Sequence, residues 1–195
     1  MIMRRIILSL ILAAAAALGA GCAQSAPGDT TVLTETASAE TAAEQDSGPF
    51  ENFRAEDLLG GTCTQEVFSD RDITIVNLMA TWCGPCIAEM PGLEELYENS
   101  NVGVVAVAID TSTNGEVDEE AVESALQLAD ELSLTFPFLM PDENDFSGLT
   151  RTIQVVPTSY LVDKSGKVVA GPIEGAMSAD DWLQAASIAA ENTSK

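Results

Sequence analysis

The chain reads as a single α/β domain built on a central mixed β-sheet, with helices on both faces and an N-terminal β-hairpin. Three observations carry that reading. Two short, continuously apolar, β-branched runs, ITIVNLMA (73–80) and VGVVAVAID (102–110), have the character of strands buried on both faces. Stretches of helical period separate these runs from the apolar segments that follow. Near the C-terminus, TSYLVDKSGKVV (158–169) reads as a hairpin turning at Lys164-Ser165-Gly166.

Taken in order, TCTQEVFSD (62–70) is an edge strand or hairpin arm, and 73–80 is the first buried strand. A helix is expected from Pro85 to about Glu98, kinked at Pro91, which lacks an amide donor and meets the carbonyl one turn back. After the second buried strand, the acidic TSTNGEVDEE (111–120) is a loop and helix start. AVESALQLADEL (121–132) is an amphipathic helix with Val122, Ala125, Leu126 and Ala129 on one face. FPFLM (136–140) suggests a third strand and FSGLTRTI (146–153) a short helix. A final helix follows over 178–191, with Ser178 as N-cap and Asp180 and Asp181 favouring the first turn. There is no internal repeat.

Charge and composition narrow the functions. The 195 residues carry 8 Lys and Arg against 31 Asp and Glu, a net charge of −23. Such a surface repels phosphate backbones, so nucleic acid is excluded as a partner. Histidine is absent. That removes Ser-His-Asp and Cys-His catalysis and every histidine-ligated metal site.

The N-terminus reads as an address and an anchor. Arg4 and Arg5 precede an apolar run, Ile6 to Leu18, too short to span a membrane and suited to a signal peptide over 1–21. Gly19, Ala20 and Gly21 lead into Cys22, which resembles the lipobox of bacterial lipoproteins. Gly19 departs from the usual apolar residue three places before the cysteine, and ordinary cleavage near the same site is the alternative. Losing Arg4 and Arg5 takes the charge from −23 to about −25. Residues 22–49, the anchor cysteine and a Thr-, Ala-, Ser- and Glu-rich stretch without aromatics until Phe50, read as a disordered acidic tether. The compact domain is expected over 50–192. Export places its thiols outside the cytoplasm, where disulfides persist.

Cys83 and Cys86 stand two residues apart where the first buried strand gives way to a helix. A cysteine at a helix start meets the positive end of the dipole and unpaired amides, which stabilise its thiolate. Cys83 has that place and Cys86 lies further in, so Cys83 should attack an incoming disulfide and Cys86 resolve the mixed disulfide. Gly84 and Pro85 keep the turn tight, and Pro85 suits the first helical turn. A zinc clip needs two more ligands, which lone Cys63 and the absence of histidine do not supply. An inert structural disulfide is the remaining rival. Cys63 itself reads as a small buried hydrophobe, with pairing to Cys83 or to a second molecule as the alternative.

VNLMATWCGPCIAEMP (76–91) closely resembles the TlpA/ResA family of thioredoxin-like extracytoplasmic thiol–disulfide oxidoreductases, and VVPTSYLVDKSGKVV (155–169) resembles that family's cis-proline loop and closing hairpin. The likeness covers about residues 50–192 and implies a thioredoxin-like three-layer sandwich. It implies that Pro157 is cis and lies against the cysteine pair, and that Val156 offers backbone groups to an extended substrate segment. Trp82 would shape the rim, and Thr158 stands beside the loop. Asn77 replaces the buried aspartate of cytoplasmic thioredoxin, so that route for deprotonating the resolving thiol is lost. Glu89, three residues after the second cysteine, matches the family's glutamate and would act as acid or base for the dithiol.

The resemblance implies a membrane-anchored reductase of disulfides in exported proteins, such as the haem-site cysteines of apocytochrome c. A membrane thiol carrier of the CcdA or DsbD kind would reload it. No cofactor or metal is implied, and a monomer is expected. Electron donation to an exported methionine sulfoxide reductase is an alternative, and an oxidant role is open if the reduced form is stabilised enough. A thiol peroxidase needs a threonine and an arginine near its cysteine. Thr81 stands two places before Cys83 rather than three, and the arginines of the domain are Arg54, Arg71 and Arg151. A copper site of the Sco kind would need a CxxxC and a histidine, and has neither.

Overall fold

The computed structural model describes residues 48–142 and 144–193. The signal peptide, Cys22 and the tether up to residue 47 lie outside them.

Five strands form the central sheet in the order β7-β4-β3-β8-β9. Both long apolar runs take their expected place at its heart: β3 (Ile73–Met79) and β4 (Val102–Ala108) are buried at every residue and pair in parallel. β8 (Thr158–Asp163) lies antiparallel on the other side of β3, and β9 (Val168–Glu174) closes that edge. The register of β8 against β9 shifts beside Gly171 and Pro172. There Gly171 takes φ +124°, and a side chain at this position would run into the Tyr160 ring.

Helix α1 (Gly84–Asn99) connects β3 to β4 and runs as one element through Pro91. Helix α2 (Glu119–Leu132) connects β4 to the two-residue edge strand β7 (Phe138–Leu139). Two right-handed crossovers moving the same way along a sheet bring their helices to the same face. Helix α4 (Ala179–Thr193) joins them, and Met90, Leu93, Ala125, Leu128, Trp182 and Ala186 share one core with Ile75, Met79, Val104 and Ala106. The other face is covered differently. Phe50, Phe53 and Phe68 from the N-terminal segment pack with Phe146 and Tyr160 against Val76, Leu78, Val105 and Val107.

The expected N-terminal hairpin is present as β1 (Arg54–Glu56) paired antiparallel with β2 (Thr62–Thr64), while Gln65–Phe68 wind into a short 3-10 turn. It docks on the edge of β7, where Leu58 N–H donates to Phe138 O at 2.8 Å and Met140 N–H to Glu56 O at 3.0 Å.

Several local expectations are corrected. Residues 112–117 form a small hairpin, β5 (Ser112–Thr113) and β6 (Glu116–Val117), and Asp118 then caps α2 by accepting from the N–H groups of Glu120 and Ala121. The buried stripe of α2 is Ala125, Leu128 and Ala129; Leu126 is exposed. The helix expected over 146–153 is a left-handed turn, α3 (Asp145–Gly148), followed by a 3-10 turn at Thr150–Thr152. Asp142 causes this by accepting from the N–H groups of Asn144 and Phe146 at 3.1 and 2.7 Å, which fixes the chain before a right-handed turn can form.

Candidate functional site

β3 delivers the chain to the carboxyl end of the sheet, and the peptide turns there within four residues. Cys83 N–H donates to Ala80 O at 3.0 Å, and Cys83 becomes the N-cap of α1 with extended backbone, φ −83° and ψ 102°. Its sulfur accepts from Cys86 N–H at 3.2 Å, so an amide of the first helical turn points at the Cys83 sulfur. Pro85 occupies the first turn, where its missing N–H costs nothing. A side chain at Gly84 would meet no neighbouring atom, so space does not dictate glycine at that position.

Cys83 and Cys86 are joined in a disulfide. The Val156–Pro157 peptide is cis, and it brings Val156 O to 3.6 Å from Cys83 Sγ. Trp82 projects from the rim with 74% of its surface exposed, and Val155 is also exposed beyond the proline loop. Thr158 is buried and donates its hydroxyl to Val155 O at 2.7 Å, which braces the loop from below. The structure thus gathers Trp82, Cys83, Gly84, Pro85, Cys86, Val156, Pro157 and Thr158 at one end of the sheet.

Glu89 lies one turn beyond Cys86 on α1, buried at 6% exposure. Its Oε1 accepts from Asn77 Nδ2 at 2.8 Å. Its Oε2 accepts from Met177 N–H at 3.1 Å and from Trp182 Nε1 at 3.4 Å. Burial raises its pKa, and these three donors pull the other way without cancelling the rise. Asn77 also donates to Ser159 Oγ at 2.9 Å, tying the central strand to its antiparallel neighbour beneath the dithiol. An acid so placed can hold a proton at pH values where an exposed glutamate has lost it.

Asn77 and Glu89 are separated by twelve residues and were legible in sequence, whereas Ser159, Met177 and Trp182 were missed. Trp182 carried a signal: a tryptophan buried in an amphipathic helix requires a partner for its indole N–H. Cys63 sits apart on β2, half-buried, 3.9 Å from Asp57 Oδ2. Burial first, then the Asp57 charge, push its thiol up to about 11. Among the described residues no cluster of three or more His, Cys, Asp or Glu is gathered to hold a metal.

Residues 47–170 match the AhpC/TSA family model, and the chain belongs to that family. The chain is 31% identical over 135 residues to the thioredoxin-like protein YneN of Bacillus subtilis, covering 66% of this chain and 75% of that one. It is 34% identical over 119 residues to the thiol-disulfide oxidoreductase ResA of Bacillus cereus, covering 60% of this chain and 64% of ResA. Among solved structures it resembles a thiol:disulfide interchange protein of Chlorobium tepidum, with TM-score 0.58 and 22% identity over 76% of this chain and 99% of that one. That likeness establishes a thioredoxin-like fold. With the CxxC pair at the head of α1, the chain is a thiol–disulfide oxidoreductase.

Proposed function

We propose that this member of the AhpC/TSA family is an extracytoplasmic reductase, anchored to the membrane through Cys22, that reduces disulfides in exported proteins. The observation that carries the reading is the Cys83–Cys86 pair at the N-terminus of α1, with a buried glutamate one turn below and the Val156 carbonyl 3.6 Å from Cys83. The N-terminal basic and apolar segment ending at Cys22 supports export and anchoring.

The reaction starts from the dithiol. Cys83 thiolate attacks one sulfur of the substrate disulfide, and the other sulfur leaves as a thiolate that takes up a proton. Glu89 accepts the proton of Cys86, whose sulfur attacks Cys83 Sγ in the mixed disulfide and expels the second substrate thiolate. Two electrons pass to the substrate, its two thiolates take up the proton that Cys83 released to solvent on ionising and the Cys86 proton handed on by Glu89, and the protein is left with the Cys83–Cys86 disulfide. Val156 and Trp82 hold an extended substrate segment at the rim, the backbone of the first adding a short strand contact. A membrane thiol carrier of the CcdA or DsbD kind returns the electrons. Haem-site cysteines of apocytochrome c and the disulfide of an exported methionine sulfoxide reductase are both chemically suitable substrates.

A peroxidase reading finds less support. Thr81 donates its hydroxyl to Asp110, and Arg71 donates to Ser100 O at the opposite end of the sheet.

The reading is tested by equilibrating the Cys83–Cys86 pair with glutathione and dithiothreitol. A potential near about −270 mV supports a reductase, and one near about −120 mV makes the protein an oxidant. In parallel, Cys86→Ser should accumulate mixed disulfides through Cys83 with exported proteins, and their identity names the substrate. Capture of cytoplasmic proteins alone in intact cells would overturn the exported location.

A further inference from the structure

Beneath the turn that carries Trp82 and Cys83 lies a second carboxylate, which the exchange chemistry above does not use. Asp110 follows β4 by two residues. Ile109 N–H donates to Met79 O at 2.9 Å, so the ends of β3 and β4 stay together as both chains leave the sheet. Asp110 Oδ2 then accepts twice from Thr81, from its N–H at 2.9 Å and from its hydroxyl at 2.7 Å. Asp110 Oδ1 is buried and meets no hydrogen-bond donor among the described residues. On the far side of the same turn, Cys83 N–H is bound to Ala80 O. The stretch Ala80–Cys83 is therefore clamped at both ends, once by backbone and once by this side chain.

We propose that Asp110 is a positioning residue for Cys83, which fixes the turn that starts α1 and sets a negative charge at that turn, making the pair more reducing than it would be without it. The physical argument is one of opposing fields. The N-terminus of α1 stabilises the Cys83 thiolate, which exists only in the reduced state. Whatever favours that thiolate favours reduction and makes the pair more oxidising. A carboxylate held by a single partner residue, with one oxygen uncompensated, repels the thiolate and offsets the helix. The disulfide carries no charge and is indifferent to it. Asp110 thus tilts the equilibrium toward the disulfide, the direction in which electrons leave the protein.

Charge and geometry separate by substitution. Asp110→Asn keeps an oxygen that accepts both Thr81 hydrogen bonds and loses only the charge, whereas Asp110→Ala loses both. Thr81→Val loses one bond, and Thr81→Ser keeps both. Full-length proteins are equilibrated in glutathione buffers, and the redox state of the Cys83–Cys86 peptide is read by alkylation and mass spectrometry. Asp110→Asn should shift the equilibrium toward the dithiol by about threefold to tenfold, a rise of about 14 to 30 mV at 29.6 mV per tenfold. Its thiolate absorbance should appear at lower pH than in the wild type. Thr81→Val should slow reduction of a peptide disulfide by about threefold or more while leaving the equilibrium within about twofold, and Thr81→Ser should restore the wild-type rate.

An Asp110→Asn equilibrium within about 1.5-fold of wild type overturns the charge role. A Thr81→Val rate equal to wild type overturns the positioning role, and the Thr81 pair decides this even where Asp110→Ala does not fold. The inference rests on the dithiol chemistry and not on its direction. The absolute potential of the wild type tests the reductase reading, and the difference between variants tests Asp110.

Discussion

Glu89 and Glu94 stand five residues apart on α1, both under a tenth exposed, yet their hydrogen-bond donors come from very different parts of the chain. Glu94 takes both of its bonds from one residue, the N–H and the hydroxyl of Thr135 in the loop that leads to β7. It staples the α2–β7 connection to α1. Glu89 takes its donors from β3, from the link after β9 and from α4, three elements that meet only in the folded domain. Burying a carboxylate without partners is strongly unfavourable, so each must be satisfied. One arrangement secures a loop; the other holds a proton-binding group at the convergence of the core, one turn below the redox pair.

Paired substitutions should separate these roles. Glu89→Ala should slow disulfide reduction about 10²-fold in a coupled turnover assay, the loss expected for a general acid or base. Glu94→Ala should leave turnover near wild type, and equal losses in the two variants would break the distinction. In urea unfolding both variants should lose stability, but only Glu94→Ala should do so without losing turnover. Glu94→Ala leaves the Thr135 amide without its partner and should destabilise by about 1 to 3 kcal/mol at unchanged turnover.

The pH dependence sharpens the contrast. Burial raises the pKa of Glu89 in the folded state, so the folded protein holds a proton that the unfolded chain releases. Stability should therefore fall as pH rises from the ordinary carboxylate range through the raised folded value, then level off. Unfolding curves of Glu89→Gln should lack that decline. Trp182→Phe removes one of the donors that lower this pKa, so the decline should extend to higher pH, alongside a loss of about 1 kcal/mol for the bond. The smallest effect should come from Gly84→Ala. With open space above the position and α1 already begun, thermal stability should change by less than about 1 kcal/mol.

How far the sequence reached follows the same division between near and far. β3 and β4 were legible because seven consecutive buried residues make a β-branched run that only Thr74 and Asn77 interrupt with polar side chains. The dithiol, its helix and the proline loop were legible because the motif residues are local. The stripe on α2 misled because Leu126 is spaced four residues from Val122, as a core residue would be, while the face turned inward is that of Leu128. Phe146, Leu149 and Ile153 mimic a helical stripe and do pack on the second core, but Asp142 takes the amides that would have started a helix. Two partners of Glu89, Met177 and Trp182, lie 88 and 93 residues away, and Ser159 lies 82 residues from Asn77. No local period records such pairings; the pairing of β8 with β3 and the closing of the C-terminal segment onto α1 create them.

The two borders of the sheet bear on how this protein behaves among copies of itself. An exposed strand border offers a row of unpaired peptide groups on which another chain can assemble. Here β7 is only two residues long, and the segment after β1 already occupies it. β9 is longer, but Pro172 has no amide to offer, and the register shift beside it bends the ladder. The sheet is thus poorly equipped to accept foreign backbone along either border. Crowding many copies together should favour productive encounters over fibrous association.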